Sequence, residues 1–141
     1  EVRGSLEIMA FQRLKFPLPE DQVEEINQIL EDMKTATLEE YAKLNNDFHF
    51  KILSLSGNGI FKSIYLKLGT PLIALQRLAL HKPESVKESY ETHKMLWEAL
   101  MNGKINLAKV ILEDHIEDGK RRFIQASETT RVIKESEENK Q

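Results

Sequence analysis

Residues 45–58 read NNDFHFKILSLSGN, and this stretch decides how the chain folds. Phe48, Ile52 and Leu53 recur at helical spacing around His49, so they predict the apolar face of a helix. Gly57 then breaks that helix. A single histidine on such a face is ordinarily a core residue held by one hydrogen bond. The meaning of His49 therefore depends on where the other three of the chain's four histidines fall.

The composition excludes several functional classes. A chain of 141 residues fits one domain with one sizeable core. Its net charge of −3 argues against a nucleic-acid-binding surface, because phosphate contacts need clustered Lys and Arg. The absence of cysteine excludes disulfides and thiolate chemistry. No apolar run approaches the roughly 20 residues that span a bilayer, and EVRGSLEIMA has no signal-peptide pattern. This start, without Met or an N-cap, suggests a piece of a longer protein.

Glycine and proline residues lie where helices are expected to end. The spacing of apolar residues between them predicts helices and no strand. The fold class is therefore all-α, an antiparallel bundle of about six helices with a central ligand or metal cavity. The predicted helices cover about 1–15, 19–35, 37–55, 58–80, 83–101 and 105 to at least 125. Residues 1–126 form the predicted ligand-binding domain. Residues 127–141 are polar and charged, and they are either a tail or the frayed end of the last helix.

Three local signals refine these helices. Thr37-Leu-Glu-Glu40 has the pattern of a capping box and predicts the start of the third helix. Pro71 predicts a kink in the fourth helix near residues 67–70, since proline lacks the amide hydrogen that helix bonding needs. Gly103 predicts a tight turn between the last two helices.

The last two helices each carry a histidine in the middle of an apolar seam. Val86, Tyr90, His93, Trp97 and Leu100 follow a 4-3-4-3 spacing on one helix, and Ile105, Ala108, Leu112, His115 and Gly119 form the seam of the next. His93 lies about ten residues before the turn and His115 about twelve after it, so at 1.5 Å per residue both lie roughly 15–18 Å from it. In an antiparallel hairpin the two imidazoles are at similar heights.

Asn45 and His49 are four residues apart and project from one helix face. The sequence thus predicts three inward histidines and an amide oxygen from three helices. A divalent metal would satisfy all of them, since neutral imidazole is its commonest protein ligand. Three separately hydrogen-bonded histidines remain the alternative. The fourth histidine, His81, lies beside Lys82-Pro83 in a turn and is expected on the surface.

Taken together, these motifs resemble a known family. EVRGSLEIMA is similar to a first-helix pattern of Arg followed by Leu-Glu; Asn45 to His49 matches N-x-x-F-H, and Ser56-Gly57-Asn58 follows. His93 opens H-x-x-L-W-E-A-L, and His115 lies 22 residues on. The chain resembles, over nearly its whole length, the FCD domain, which is the C-terminal effector-binding domain of FadR-subfamily GntR transcription regulators.

The resemblance implies a helical bundle around a divalent metal, with Asn45, His49, His93 and His115 as the matching ligands. Asn45 stands where the family usually has Asp. Asp47 is no substitute, because two residues along a helix it points about 200° away. Nitrogen ligands favour Zn²⁺ or Ni²⁺ over Mg²⁺, and the metal should dissociate as falling pH protonates the ligands.

The resemblance also implies a cytoplasmic bacterial regulator with a DNA-binding winged helix ahead of this domain, and hence DNA contact only through that domain. Such regulators read two half-sites, so the full-length protein is expected to be a homodimer. A membrane role is not expected.

Three functions remain open at this point. The first is a sensor of a small effector. The second is a metal-dependent hydrolytic enzyme, which would use the open metal position to activate water. No carboxylate is placed as its general base, since Glu113 and Asp114 flank His115 but face away from it. The third is a purely structural dimerisation bundle.

The sensor hypothesis predicts the effector's chemistry. Neutral imidazoles and a neutral amide leave the charge of a divalent cation uncompensated in an apolar cavity. The first and fourth helices can close the open side, so the expected guest is a small carboxylate chelating the metal. Its far end should meet a guanidinium. Arg77 and Arg3 are the candidate ligand-binding residues, with a solvated surface arginine as the alternative for each. Arg121 and Arg122 are expected on the surface.

Overall fold

The computed structural model describes residues 2–140, and in this range the chain forms helices and no strand. The helices are α1 (Val2–Phe11), α2 (Glu20–Met33), α3 (Leu38–Ser54), α4 (Gly59–Ala79), α5 (Pro83–Met101) and α6 (Ile105–Glu138). The predicted all-α bundle is confirmed. None of the helices in this range combines the length and hydropathy that a membrane crossing requires.

The first helix is shorter than the sequence pattern predicted. It ends at Phe11 instead of near residue 15, and the chain leaves it through a turn in which the amide of Arg13 donates to the carbonyl of Ala10. The prediction extended the helix toward Pro17. The residue before a proline is disfavoured in the helical conformation. The chain therefore leaves the helix several residues before Pro17.

The start of α3 has the predicted capping box. The Thr37 hydroxyl accepts a hydrogen bond from the Glu40 amide at 3.2 Å, and the Glu40 carboxylate accepts one from the Thr37 amide at 2.8 Å. Two amides that no helical carbonyl can reach are thereby satisfied. This cap fixes where α3 begins and therefore which of its residues face inward.

Helix α4 is kinked where Pro71 predicted. Gly69 has φ 28° and ψ −126°, which separates the helix into two segments. The proline ring removes one amide and collides with the carbonyl four residues earlier, and glycine accepts the positive φ that the break requires. Beyond the kink, Leu72, Gln76, Ala79 and Leu80 line a cavity between the helices.

A glycine turn joins α5 to α6. The amide of Lys104 donates to the carbonyl of Ala99 at 2.9 Å, and that of Gly103 donates to Leu100 at 3.0 Å. With Gly103 at φ 68°, this is the left-handed termination that glycine favours. The turn reverses the chain, so α6 packs along α5 as an antiparallel neighbour. Helix α6 then continues to Glu138, and the side chains of residues 127–138 are exposed.

The core consists of a large cluster and a smaller one. Phe48, Leu96, Leu100 and Leu112 are fully buried in the large cluster, which joins α3, α5 and α6. Helix α1 reaches α6 at a glycine: a Cβ at Gly4 would collide with the end of the Ile116 side chain. This close approach carries the neighbouring polar residues of α1 to the centre of the bundle.

Candidate metal centre

The bundle centre holds a cluster of three histidines from three helices. His49 of α3, His93 of α5 and His115 of α6 are all buried, and each offers a ring nitrogen within 4.8 Å of the others. Their ring centroids lie 4.7–5.4 Å apart. Phe48 packs against the first two of these rings and helps to fix their orientation.

Outer hydrogen bonds occupy one nitrogen on each of two rings. His49 Nδ1 shares a hydrogen bond of 2.6 Å with Glu7 Oε1. His93 Nδ1 lies 3.1 Å from the Tyr41 hydroxyl, which donates its proton to Ser89 Oγ at 3.0 Å. Tyr41 therefore occupies Nδ1 of His93, as Glu7 occupies Nδ1 of His49. Both rings consequently turn their Nε2 atoms toward each other, at 3.2 Å.

The spacing of these nitrogens fits a shared cation. Two nitrogens about 2.1 Å from one metal ion, at an angle of about 90–110°, lie about 3.0–3.4 Å apart. The observed 3.2 Å between Nε2 of His49 and Nε2 of His93 falls within that range. Fixing the Nδ1 tautomer through a carboxylate or hydroxyl is also how proteins orient imidazole ligands toward metals.

Asn45 supplies an oxygen at the same place. Its side chain is 3% exposed, and its Oδ1 has no hydrogen-bond partner among the described residues. It lies one helical turn before His49 on α3, and it lines the cavity together with His115. A buried amide oxygen without a partner is unfavourable, and a cation would remove that cost. The donor set therefore fits a divalent metal, whereas Asp47 is not part of the cluster.

Burial keeps the site in the protonation state that a metal requires. Burial, and then the charges of Arg3 and the neighbouring groups, lower the pKa of His49, His93 and His115 well below the usual imidazole value. Burial raises the pKa of Glu7 to about 8, against the opposing effect of Arg3. The imidazoles are therefore neutral near pH 7, with lone pairs available to a cation.

Glu7 is the site residue that the sequence analysis missed. Among the acidic residues near the histidines the sequence analysis considered Asp47, Glu113 and Asp114, whereas Glu7 is the one that is fully buried and shares a hydrogen bond with His49. The sequence did contain a signal for this. Gly4, Glu7 and Phe11 follow helical spacing, so Glu7 falls on the buried face of α1 with two uncharged residues. Glu7 lies behind the His49 ring and is not among the residues that line the cavity.

A cavity of about 230 Å³ adjoins the cluster on the side of Asn45 and His115. Helices α1, α4 and α6 supply most of its walls, as the sequence analysis expected for α1 and α4. Its polar lining includes Arg3, Asn45, Gln76, Ser89, His115 and Arg122, and the remaining walls are largely aliphatic. Concave apolar sites with a few converging polar groups are typical of small-molecule binding.

The structure places one of the two candidate arginines in the cavity lining and the other outside it. Arg3 lines the cavity, with its Nε 3.6 Å from Glu7 Oε2. Arg77 lies outside the lining; its side chain is about half exposed and contacts Glu39 at 3.3 Å. The reason is local geometry: Gln76 faces the cavity, and the next residue of a helix points about 100° away.

Arg122 lines the cavity, contrary to its expected surface position. Its side chain is only 12% exposed, and it donates to Glu88 Oε2 at 2.7 Å. Helix α6 continues past the site beside α4, so residues assigned to a charged terminal stretch still face the interior. Arg121, on the adjacent face, is exposed as expected, and so is His81.

The family model of the FCD domain matches residues 1–118. No curated protein matches the chain significantly.

Proposed function

The chain belongs to the FCD domain family, the C-terminal effector-binding domains of GntR-family regulators, and on that basis we propose that it senses a small carboxylate at a divalent-metal site. Asn45, His49, His93 and His115 would hold the metal, with Zn²⁺ or Ni²⁺ favoured by the nitrogen donors. The metal would supply a Lewis-acidic position for a carboxylate oxygen. An attached winged-helix domain would read the DNA, and the effector would control that reading.

One observation carries this proposal: the histidine cluster and an unpartnered amide oxygen lie at the edge of a cavity that also contains two arginines. Asn45 and His115 border the cavity, and Arg3 and Arg122 line it. None of the four proposed protein ligands carries a negative charge. A divalent ion among them attracts an anion, because an uncompensated charge in an apolar site is unfavourable.

The two arginines indicate where the rest of the effector would bind. Each is largely buried, with side chains 13% and 12% exposed for Arg3 and Arg122. A guanidinium matches a carboxylate in bidentate fashion. We therefore propose Arg122 in the role that the sequence analysis gave to Arg77, and we retain Arg3.

Helix α1 offers a route from the cavity to the DNA-binding domain. Arg3 and Gly4 of α1 line the cavity, and α1 is the helix nearest to a domain placed before this one. An effector shifts a regulator only if it binds two conformations with different affinities. Contacts that bring Arg3 toward a bound carboxylate would favour one position of α1.

The hydrolase alternative has weaker support. Its general base would have to reach the open metal position from the cavity, and Glu7, the carboxylate bonded to the cluster, lies outside the cavity lining. FCD domains are regulatory. A purely structural dimerisation bundle would not explain why the buried Asn45 oxygen has no hydrogen-bond partner among the described residues.

Small carboxylic acids should stabilise the metal-loaded domain, and their amides should not. At about a hundredfold excess over Kd, we expect the melting temperature to rise by roughly 5–10 °C. A thermal-shift screen of acids paired with their amides, with and without chelator, measures this. Arg122→Gln should reduce the shift, whereas Arg77→Gln, on the outer face of α4, should leave it unchanged. Equal stabilisation by amides, or no effect of chelator, would refute the carboxylate-on-metal proposal.

The full-length regulator should be a two-fold dimer. A protein that reads paired half-sites matches their symmetry with its own. Light scattering of the full-length protein at micromolar concentration should give twice the mass of one chain. A monomer under those conditions would contradict this part of the proposal.

A further inference from the structure

Gln76 is a buried amide in the cavity wall. It lies on the second segment of α4, is 8% exposed, and lines the cavity beside Leu72 and Ala79. Neither its Oε1 nor its Nε2 has a hydrogen-bond partner among the described residues. Buried side-chain amides are ordinarily paired, so two unpartnered atoms on one side chain need an explanation.

A structural role does not account for this side chain. A residue kept for packing at this position would be apolar, like its neighbours on the same face of α4. The amide has no protein partner, so only the contents of the cavity can satisfy its two polar atoms. Polar groups held in this way are typical of sites that are completed by a ligand.

The chemistry of the amide limits what would complete it. Its Oε1 only accepts and its Nε2 only donates, so a guest satisfies both atoms only if it presents a donor and an acceptor to them. A carboxylate alone would leave Oε1 facing another oxygen, and an ammonium alone would leave Nε2 unused. Among the groups common on small acids, a hydroxyl can donate to Oε1 and accept from Nε2. The arginines in the same cavity are better suited to carboxylates.

We propose that Gln76 recognises a hydroxyl group on the effector, which would therefore be a small hydroxy acid. This inference rests on the proposed carboxylate-sensing function and adds a specificity-determining residue to it. A cavity of about 230 Å³ suits a compact acid, since the pockets that hold drug-sized ligands measure about 300–1,000 Å³. A site that hydrogen-bonds a hydroxyl rejects the analogue that lacks it, because its own polar atoms are then left unpaired.

The test compares acids that differ by one hydroxyl: malate with succinate, and lactate with propionate. Binding to the metal-loaded domain is measured by calorimetry. In at least one pair, the wild-type domain should bind the hydroxy acid about tenfold tighter or more. Gln76→Leu should reduce that preference to below about threefold, mainly by weakening the hydroxy acid. Gln12→Leu, an exposed glutamine outside the cavity, is the matched control.

A second measurement does not depend on the choice of acid. Without ligand, Gln76→Leu should melt at or above the wild-type temperature, because the amide has no protein partner to lose. If leucine packs poorly at this position, Gln76→Met is the alternative. It keeps the side-chain length and should give the melting temperature expected above for leucine.

Four results would overturn the inference. In the first, the wild-type domain binds the acids without preferring those that carry a hydroxyl. In the second, the preference for hydroxy acids persists in Gln76→Leu. Neither result contradicts the carboxylate proposal. The third is a fall in melting temperature for both Gln76→Leu and Gln76→Met without ligand, which would make Gln76 a structural residue. If no acid binds the wild-type domain, the carboxylate proposal fails and the inference fails with it.

Discussion

His93→Ala should lower the metal affinity of the domain by roughly 10²–10³-fold. Structural zinc sites bind with about 10–16 kcal/mol in total, so one ligand of four contributes about 3–4 kcal/mol. His93 is fully buried, and among the described residues the histidine and acidic side chains clustered closely enough to hold a metal are His49, His93 and His115. Competition against a zinc-binding dye, with metal analysis of the purified domain, measures the loss.

Chelator separates the metal effect from the packing effect of this substitution. Removing a buried ring leaves a cavity and destabilises the domain by itself. The wild-type melting temperature should therefore fall when chelator is added, whereas that of His93→Ala should already be low and should not change. His93→Gln is the alternative if the alanine variant does not fold. His81→Ala removes an exposed histidine and should match the wild type. Equal metal content in His93→Ala and wild type would eliminate the proposed ligand set.

Glu7→Leu should reduce metal affinity by 100-fold or slightly more, and Glu7→Gln by about tenfold. Loss of a group that orients a ligating histidine typically costs 10–100-fold. Leucine leaves His49 Nδ1 without its 2.6 Å hydrogen-bond partner. Glutamine keeps a side-chain oxygen within reach of the imidazole. The affinities should therefore decrease in the order Glu, Gln, Leu.

The same dye titration at fixed pH tests the role of Glu7, with Glu24→Gln on the exposed face of α2 as the control. A purely structural role would lower the melting temperature of the chelated domain and leave metal affinity unchanged. A positioning role reduces metal affinity in graded fashion, with a partial rescue by glutamine. Unchanged affinity in Glu7→Leu would show that Glu7 does not orient His49.

Several features followed directly from the sequence. The limits of α2 to α5, the cap at Thr37 and the kink at Gly69 depend on residues within a few positions of each other, and such signals act locally. His93 and His115 lie at similar distances along α5 and α6 from the turn at Gly103. This followed from counting residues, since the helical rise per residue is constant. These are properties of single helices or of one short hairpin.

The tertiary structure decided which polar residues reach the site. Glu7, Gln76 and Arg122 look like ordinary polar positions in the sequence, and each faces the interior because of how its helix packs. Gly4 lets α1 approach α6 closely, and this position carries Glu7 to His49. The kink in α4 and the length of α6 bring the other two into the cavity wall. Helical spacing determines which residues share a face, but only the packing of one helix against another determines what that face meets.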